Sequence, residues 1–586
     1  MPTPSPLRAA IAAAAIAGAI TLVPLSAMAA DPVSDVSVTG PDGSALGSTA
    51  SQVSCDINGN GVPDLAVGTY ATFDTTPGAT GAYVVLDAGA ATPAGAITDL
   101  PPISIIDTSR NAMGGVDVRC AGDVNGDGFD DLVVVAQGAA AFIVFGSADF
   151  GEVRLDAVGD RGRVVVGSIT RGNGIGDIDG DGRDEVAVTD TSGVVTILRP
   201  ADLAPESALA DAPGPRVSGA GIDLVSVSRA GDMNGDERDD LAVGASSWKA
   251  PGATGFGTGA VWVITDLSAD VTVGDVAIPG FRIDGPPRGY DLLGTSTVGL
   301  GDINGDGFGD LLIGGESDDP LTGSAVVVTG GPDGKNVVTN PFASTGFAVH
   351  GSGDATQRGW WLNGMAPGDH FGHAVGAVRM NGWSMLLAGA MDGAPDPLRP
   401  GSGYVTAVDS RELVAGTLTL SPTGVLDVAA LADDAKANSA LIPGNLTDQR
   451  LGRSFADLTA DPAGSRVTFA AGAPALFSWQ ELPSVRIIGL EAPAVVTPEP
   501  GGDPNDGPDD GAGTDGGTDV GAGPDAGAQA GGTTSGTTQG TVTRSLARTG
   551  AESLGVLAAG AMALLAAGLL GLGAARSRHR RRSRVS

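Results

Sequence analysis

Five short stretches of the chain carry oxygen-bearing side chains at a fixed alternation. In GDVNGDGFDDLVVV, Asp123, Asn125 and Asp127 stand two residues apart, Gly128 follows, and Asp131 occupies the ninth position. Alternate side chains of such a turn converge on one point. Carboxylate and amide oxygens are hard donors that suit Ca2+, with a backbone carbonyl, here that of Phe129, as a further ligand. Glycine at the sixth position permits the tight turn. The order recurs as Asp56, Asn58, Asn60 and Asp64; as Asp177, Asp179, Asp181 and Glu185; as Asp232, Asn234, Asp236 and Asp240; and as Asp302, Asn304, Asp306 and Asp310. Up to five calcium ions are therefore expected, although Asp/Asn/Gly clusters also make ordinary turns with no ion. An EF-hand is excluded. It needs a bidentate Glu at position 12 and flanking helices, whereas the residues there are Val67, Val134, Val188, Val243 and Ile313, in β-rich sequence. Two departures stand out: Glu185 replaces Asp at a ninth position, and Glu237 replaces glycine at a sixth. A β-carbon at that turn strains the backbone, so the fourth loop is the weakest expected site.

The first ligands of the five loops lie 67, 54, 55 and 70 residues apart. A period this long corresponds to a multi-strand unit, about one propeller blade. A Leu-Gly or Phe-Gly pair leads each unit, most clearly Leu46-Gly47, Leu293-Gly294, Phe371-Gly372 and Leu451-Gly452. A small-residue trailer follows the loop's strand, as in LAVGA (241–245), LAGA (387–390) and AAGAP (470–474). This pattern resembles the FG-GAP repeat of the integrin α-subunit propeller, over roughly residues 33–495. Two more units, FGHAVGAVRMNGWSMLLAGA and LGRSFADLTADPAGSRVTFAAGAP, keep leader and trailer without the calcium ligands. The resemblance implies an all-β, seven-bladed β-propeller over 31–495. DVSVTG (35–40) resembles the outer-strand segment FRIDG (281–285), as does VRIIG (485–489). We therefore expect the N-terminal strand to pair in the seventh blade, joining the ends of the ring.

Composition agrees with an all-β exported protein. The chain has 586 residues, 94 of them Gly, and a formal net charge of −35, which makes nucleic acid an unsuitable partner. Residues 1–30 hold one basic residue, Arg8, an apolar run and the small-residue stretch SAMAA, the pattern of a signal peptide. Cys55 and Cys120 each precede a loop; a disulfide between adjacent blades and two buried thiols are both compatible with the spacing. Residues 496–545 are Gly-, Asp-, Thr- and Pro-rich and cannot bury a core, so a disordered linker is expected. Residues 546–586 carry LARTG, an uncharged apolar run (554–575) long enough for a transmembrane helix, and RSRHRRRSR. This order resembles a sortase sorting signal, LARTG being similar to the Leu-Ala-x-Thr-Gly variant of the commoner Leu-Pro-x-Thr-Gly motif. The resemblance implies cleavage between Thr549 and Gly550 and attachment to peptidoglycan. A plain membrane anchor is the alternative.

No catalytic constellation is visible. His370 and His373 stand three apart where a strand is expected, His350 stands alone, and His579 lies in the basic tail. A structural role is expected for the pair, and the protein is not expected to be an enzyme. Loops on the face opposite the calcium turns carry Tyr70, Trp248, Tyr290, Trp360 and Trp361. Aromatics on loops are typical anchors for a protein or glycan, while packing between blades is the competing use. The resulting expectation is a monomeric, wall-anchored, calcium-stabilised adhesin or ligand receptor, with an extracellular hydrolase or a structural wall protein as alternatives.

Overall fold

The apolar runs after the loops are too uniform for strands with one wet face. Asp131–Ala136, Asp240–Ala245 and Asp310–Gly315 are buried at every residue, the pattern of a sheet covered on both sides. The computed structural model satisfies them with seven sheets, each built on an antiparallel meander, that pack face to face as the blades of a β-propeller. Described are residues 34–493, except 41–44, 70–80, 91–94, 98–102, 107–115, 250–256, 275–276, 286–291, 318–321, 332–347, 351–358, 422–424, 433–437 and 475–482. The proposed signal peptide, linker, LARTG motif and apolar run lie outside them, as do Tyr70 and Tyr290. No helix among the described residues is long and apolar enough to cross a membrane.

Each blade is a meander. In blade 2 it runs through Val116–Gly122, Asp131–Ala136, Ala140–Val144 and Gly162–Val166, from the axis outwards. The inner strands of the seven blades are Thr49–Ala50, Val116–Gly122, Ile169–Gly176, Ser226–Gly231, Leu293–Gly301, Phe371–Met380 and Phe455–Asp457. Each touches the next around the ring. In six blades the outer edge receives a further short strand from the blade that follows, such as Val153–Arg154 on Ile103–Ile106. An open edge invites pairing with other chains, and this overlap covers it.

The leader and trailer motifs have one physical cause. The leader glycines Gly47, Gly294, Gly372 and Gly452 have φ between +84° and +95°, where other residues are strained. Their backbone lies against the trailer glycines Gly472, Gly244, Gly314 and Gly389 of the preceding blade, so closely that a β-carbon on any trailer would collide with the leader's carbonyl. Neighbouring blades thus meet glycine on glycine, while Leu46, Leu293, Phe371 and Leu451 fill the core beside each contact.

Ring closure follows the expectation. Ser34–Thr39 pairs antiparallel with Ser484–Glu491, from Ser34 opposite Gly489 to Thr39 opposite Ser484, and becomes the fourth strand of blade 7. An Asp35–Arg486 ion pair reinforces the seam. Val485–Gly489 proves to be a third strand, so of the two similar segments only the N-terminal one occupies the outer position. Cys55 and Cys120 form a disulfide between blades 1 and 2. Closing a loop of 65 residues removes unfolded-state entropy equivalent to about 4 kcal/mol in the chain-entropy account.

Candidate metal centres and the axial funnel

All five acidic loops connect the first and second strands of blades 1 to 5 and therefore share one face. Their side chains fold inward onto their own backbone. In the second loop the Gly126 and Asp127 amides donate to Asp123 Oδ1 at 2.7 and 3.0 Å, and that of Gly128 to Oδ2 at 2.8 Å. Asn125 Oδ1 accepts from Asp127 and Asp127 Oδ1 from Phe129. The fifth loop repeats these bonds around Asp302, Asn304 and Asp306. At the ninth position the carboxylates lie beneath the loop: Asp131 Oδ2 accepts from the Val124 amide at 3.0 Å and Oδ1 from that of Gly146 at 2.8 Å.

These donor sets fit a hard divalent cation. Carboxylate oxygens of Asp177, Asp179 and Glu185 come within 4.8 Å of one another. In the fourth loop Asp240 Oδ1 is buried with no hydrogen-bond partner. Two loops also carry features that oppose an ion. Glu237 takes φ +67°, as feared from its place at the glycine position. In the third loop Arg199 Nε donates to Asp179 Oδ2 at 2.6 Å, so a guanidinium already engages one of the donors. The spacing in sequence gave no warning of Arg199, which lies on a different strand end.

Burial lifts the ninth-position carboxyls, Asp64 to about 6, Asp310 to about 7, and Asp131, Glu185 and Asp240 to about 8. An acid whose pKa rises on folding stabilises the fold while protonated, and that contribution is lost as pH climbs through the folded value. In excess chelator the melting temperature is expected to fall from about pH 4, the unfolded carboxyl value, to about pH 8, the highest folded value, and to level off above it. A bound cation demands the ionised form and flattens or reverses the slope. Calorimetry in chelator that shows a pH-independent melting temperature across this window contradicts the expectation.

Sequence reasoning missed the residues at the eighth position. Asp130 Oδ2 accepts from the Asp56 amide at 2.7 Å, Asp184 Oδ2 from that of Asp123 at 2.9 Å, and Asp239 Oδ2 from that of Asp177 at 3.1 Å. In return the amides of Asp130, Asp184 and Asp239 donate to the carbonyls of the same three residues. Each loop is thereby stitched to the first ligand of the loop before it. Gly309 keeps only the backbone half, donating to the Asp232 carbonyl at 2.6 Å. The acidic doublets Asp130-Asp131, Asp184-Glu185 and Asp239-Asp240 were the available signal.

The opposite face, where the inner strands begin, opens on the axis into a funnel of about 400 Å3. A smaller cavity of about 230 Å3 lies on the loop side. Gln52 and Asn173 line both and separate them: Asn173 Nδ2 donates to Gln52 Oε1 at 3.1 Å, and Gln52 Nε2 to the Thr297 carbonyl at 2.9 Å. His373 lines the funnel with its Nδ1 2.7 Å from Glu316 Oε2; desolvation pulls the imidazole pKa down and this carboxylate resists it. His370 lies outside the funnel lining, with Nδ1 2.8 Å from Asp392.

The aromatic anchors expected on loops are corrected by the structure. Trp360 and Trp361 belong to Gly359–Asn363, the outer strand of blade 5, paired with Val327 and Val326. Trp361 is fully buried, its Nε1 donating to Asn363 at 2.6 Å, and Trp360 packs against the core. Their alternation along a strand was hidden in a long Gly-rich stretch. Trp248 is half-buried, edge-on to Trp262 at 5.5 Å and under the Arg282 guanidinium at 5.6 Å. Trp361→Ala is therefore expected to cost about 3–5 kcal/mol of stability, read as a fall in denaturation midpoint. An unchanged midpoint contradicts this placement.

A sequence profile described as the FG-GAP repeat matches residues 120–155 and 225–264, which hold the second and fourth loops. The chain carries FG-GAP repeats. The two matched stretches supply strands of blades 2 and 4 of the seven-bladed propeller. No curated protein matches the sequence. Among solved structures, the crystal structure of BBS1N in complex with ARL6DN, soaked with mercury, is 12% identical, with a TM-score of 0.33, over 79% of this chain and 95% of that chain. The same complex soaked with lead is 13% identical, with a TM-score of 0.36, over 80% and 97%.

Proposed function

We infer that this FG-GAP propeller is an exported, wall-anchored surface protein that binds an extracellular protein or glycan, with calcium held in the acidic loops as a structural ion. The observation that carries the reading is the division of labour between the faces. One gathers five acidic turns knitted together by backbone bonds, and the other opens an axial, polar funnel where a ligand can enter. Calcium would be held by the donor sets of Asp56, Asp123, Asp177, Asp232 and Asp302 with their neighbours, where it supplies charge neutralisation and cross-linking of each loop. Screening the full-length chain against glycan and protein arrays, with product assays run in parallel, tests the reading. Saturable capture without turnover supports it, and product release from any polysaccharide, lipid or peptide replaces it with a hydrolase. The His373–Glu316 pair in the funnel is the one observation that favours hydrolysis.

Anchoring rests on the order of LARTG, apolar run and basic tail. Thr549→Ala is expected to abolish wall-linked protein and leave a membrane-held precursor, because the apolar run stays uncut. Release of the unaltered protein is expected to require a muramidase. Extraction by detergent alone identifies a plain membrane anchor.

A further inference from the structure

A chain with 68 acidic against 33 basic residues repels anions over most of its surface. The funnel departs from that average. Among the described residues Arg119, Arg171 and Arg453 line it, against Asp117 and Glu316. Glu316 holds His373, and Asp117 lies 3.2 Å from Arg119 Nε in an ion pair that leaves its buried Oδ1 without a hydrogen bond. Asp392, whose charge also reaches Arg453, is occupied by His370 and Arg450. Arg171 is exposed and joins no ion pair among the described residues. Arg453 is half-buried, and its Nε is enclosed with no hydrogen-bond partner. An enclosed guanidinium N–H without an acceptor is costly, and desolvation already holds the Arg453 pKa below its ordinary range.

An incoming carboxylate relieves this situation on both counts, since guanidinium groups match its two oxygens in plane and pair with it more strongly than with neutral acceptors. The rest of the wall favours a hydroxylated ligand over an apolar one. Ser48, Gln137, Ser246 and Ser296 contribute hydroxyls and an amide, while Phe455 is fully buried. About 400 Å3 is within the range of small-ligand sites and holds one or two sugar rings.

Resting on the binding reading above, we propose that the axial funnel is the site for an acidic sugar, with Arg171 and Arg453 taking its carboxylate and the hydroxyl-rich wall its ring oxygens. Arg171 gives selectivity at the mouth, and Arg453 supplies the deeper contact. The test is calorimetric titration of the full-length protein with a glucuronate-containing disaccharide, its neutral glucose analogue and the dipeptide Ala-Ala. The uronate is expected to bind, the neutral analogue to bind on the order of tenfold more weakly or worse, and Arg171→Gln to weaken uronate binding by a similar factor. Arg171 is exposed, so its replacement leaves the melting temperature unchanged; Arg453→Gln is the second variant, compared only if it melts normally. Equal binding of charged and neutral sugars, an Arg171→Gln variant of unaltered affinity, or binding of Ala-Ala without the uronate overturns the proposal. If the arrays still report a ligand in that case, the surface-binding function stands and only the axial sugar site falls. Blank arrays remove both.

Discussion

Excess chelator is expected to lower the melting temperature of the protein by about 14 °C with every loop filled. An ion bound only by the folded chain, present at a hundred times its dissociation constant, contributes about 2.7 kcal/mol, and five loops have the donors to hold one each. At roughly 2.1 cal/mol/K per residue over roughly 460 residues, the melting temperature moves about 1 °C per kcal/mol. Asp127→Ala and Asp306→Ala are each expected to remove about a fifth of the shift. The loops are not equal, however. Arg199 competes for Asp179, and Glu237 strains the fourth turn, so the corresponding changes Asp181→Ala and Asp236→Ala should remove less. Asn381, at the matching turn of blade 6 between Met380 and Gly382, has no acidic partners in its turn, and Asn381→Ala should leave the shift intact. A melting temperature indifferent to chelator removes calcium from the account.

Deletion of residues 34–39 is expected to destabilise the whole propeller rather than one end of it. The strand forms a six-residue ladder with Ser484–Glu491, Val38 is buried, and Asp35 pairs with Arg486. At about 1 kcal/mol per ladder bond plus the lost burial, the cost is on the order of 5 kcal/mol or more. The larger consequence is geometric: with the seam gone, blade 7 presents an unpaired edge to other chains. Reduced soluble yield and aggregation are expected, with Asp35→Ala giving a milder loss measurable by denaturant titration. A truncated protein that melts like the intact one shows that the seam is dispensable.

How far the sequence could be read depended on the range of the interactions. The loops were legible because their ligands and the amides they meet lie within eight residues, as the Asp123 bonds to Gly126, Asp127 and Gly128 show. The glycine leaders and trailers were legible as a pattern, although their cause, backbone against backbone between blades, was not. Trp360 and Trp361 were misplaced because strand pairing with Val326 and Val327 leaves no local mark in a Gly-rich segment. The eighth-position acids were overlooked since Asp184 acts on Asp123, one blade away.

By itself, then, the sequence determined the repeat, the number of blades and the five acidic turns, because each is written in residues that are near neighbours or that recur along the chain, whereas two similar segments competed for the closing strand until the ladder of Ser34–Thr39 with Ser484–Glu491 decided it. Only the tertiary structure decided which loops are stitched to which, that Arg199 reaches into the third loop, that Cys55 meets Cys120, and that the axis holds a basic funnel. Arg119, Arg171, Glu316, His373 and Arg453 come from blades 2, 3, 5, 6 and 7. No spacing relates them along the chain, and they become neighbours because a closed ring turns the start of every inner strand toward one axis.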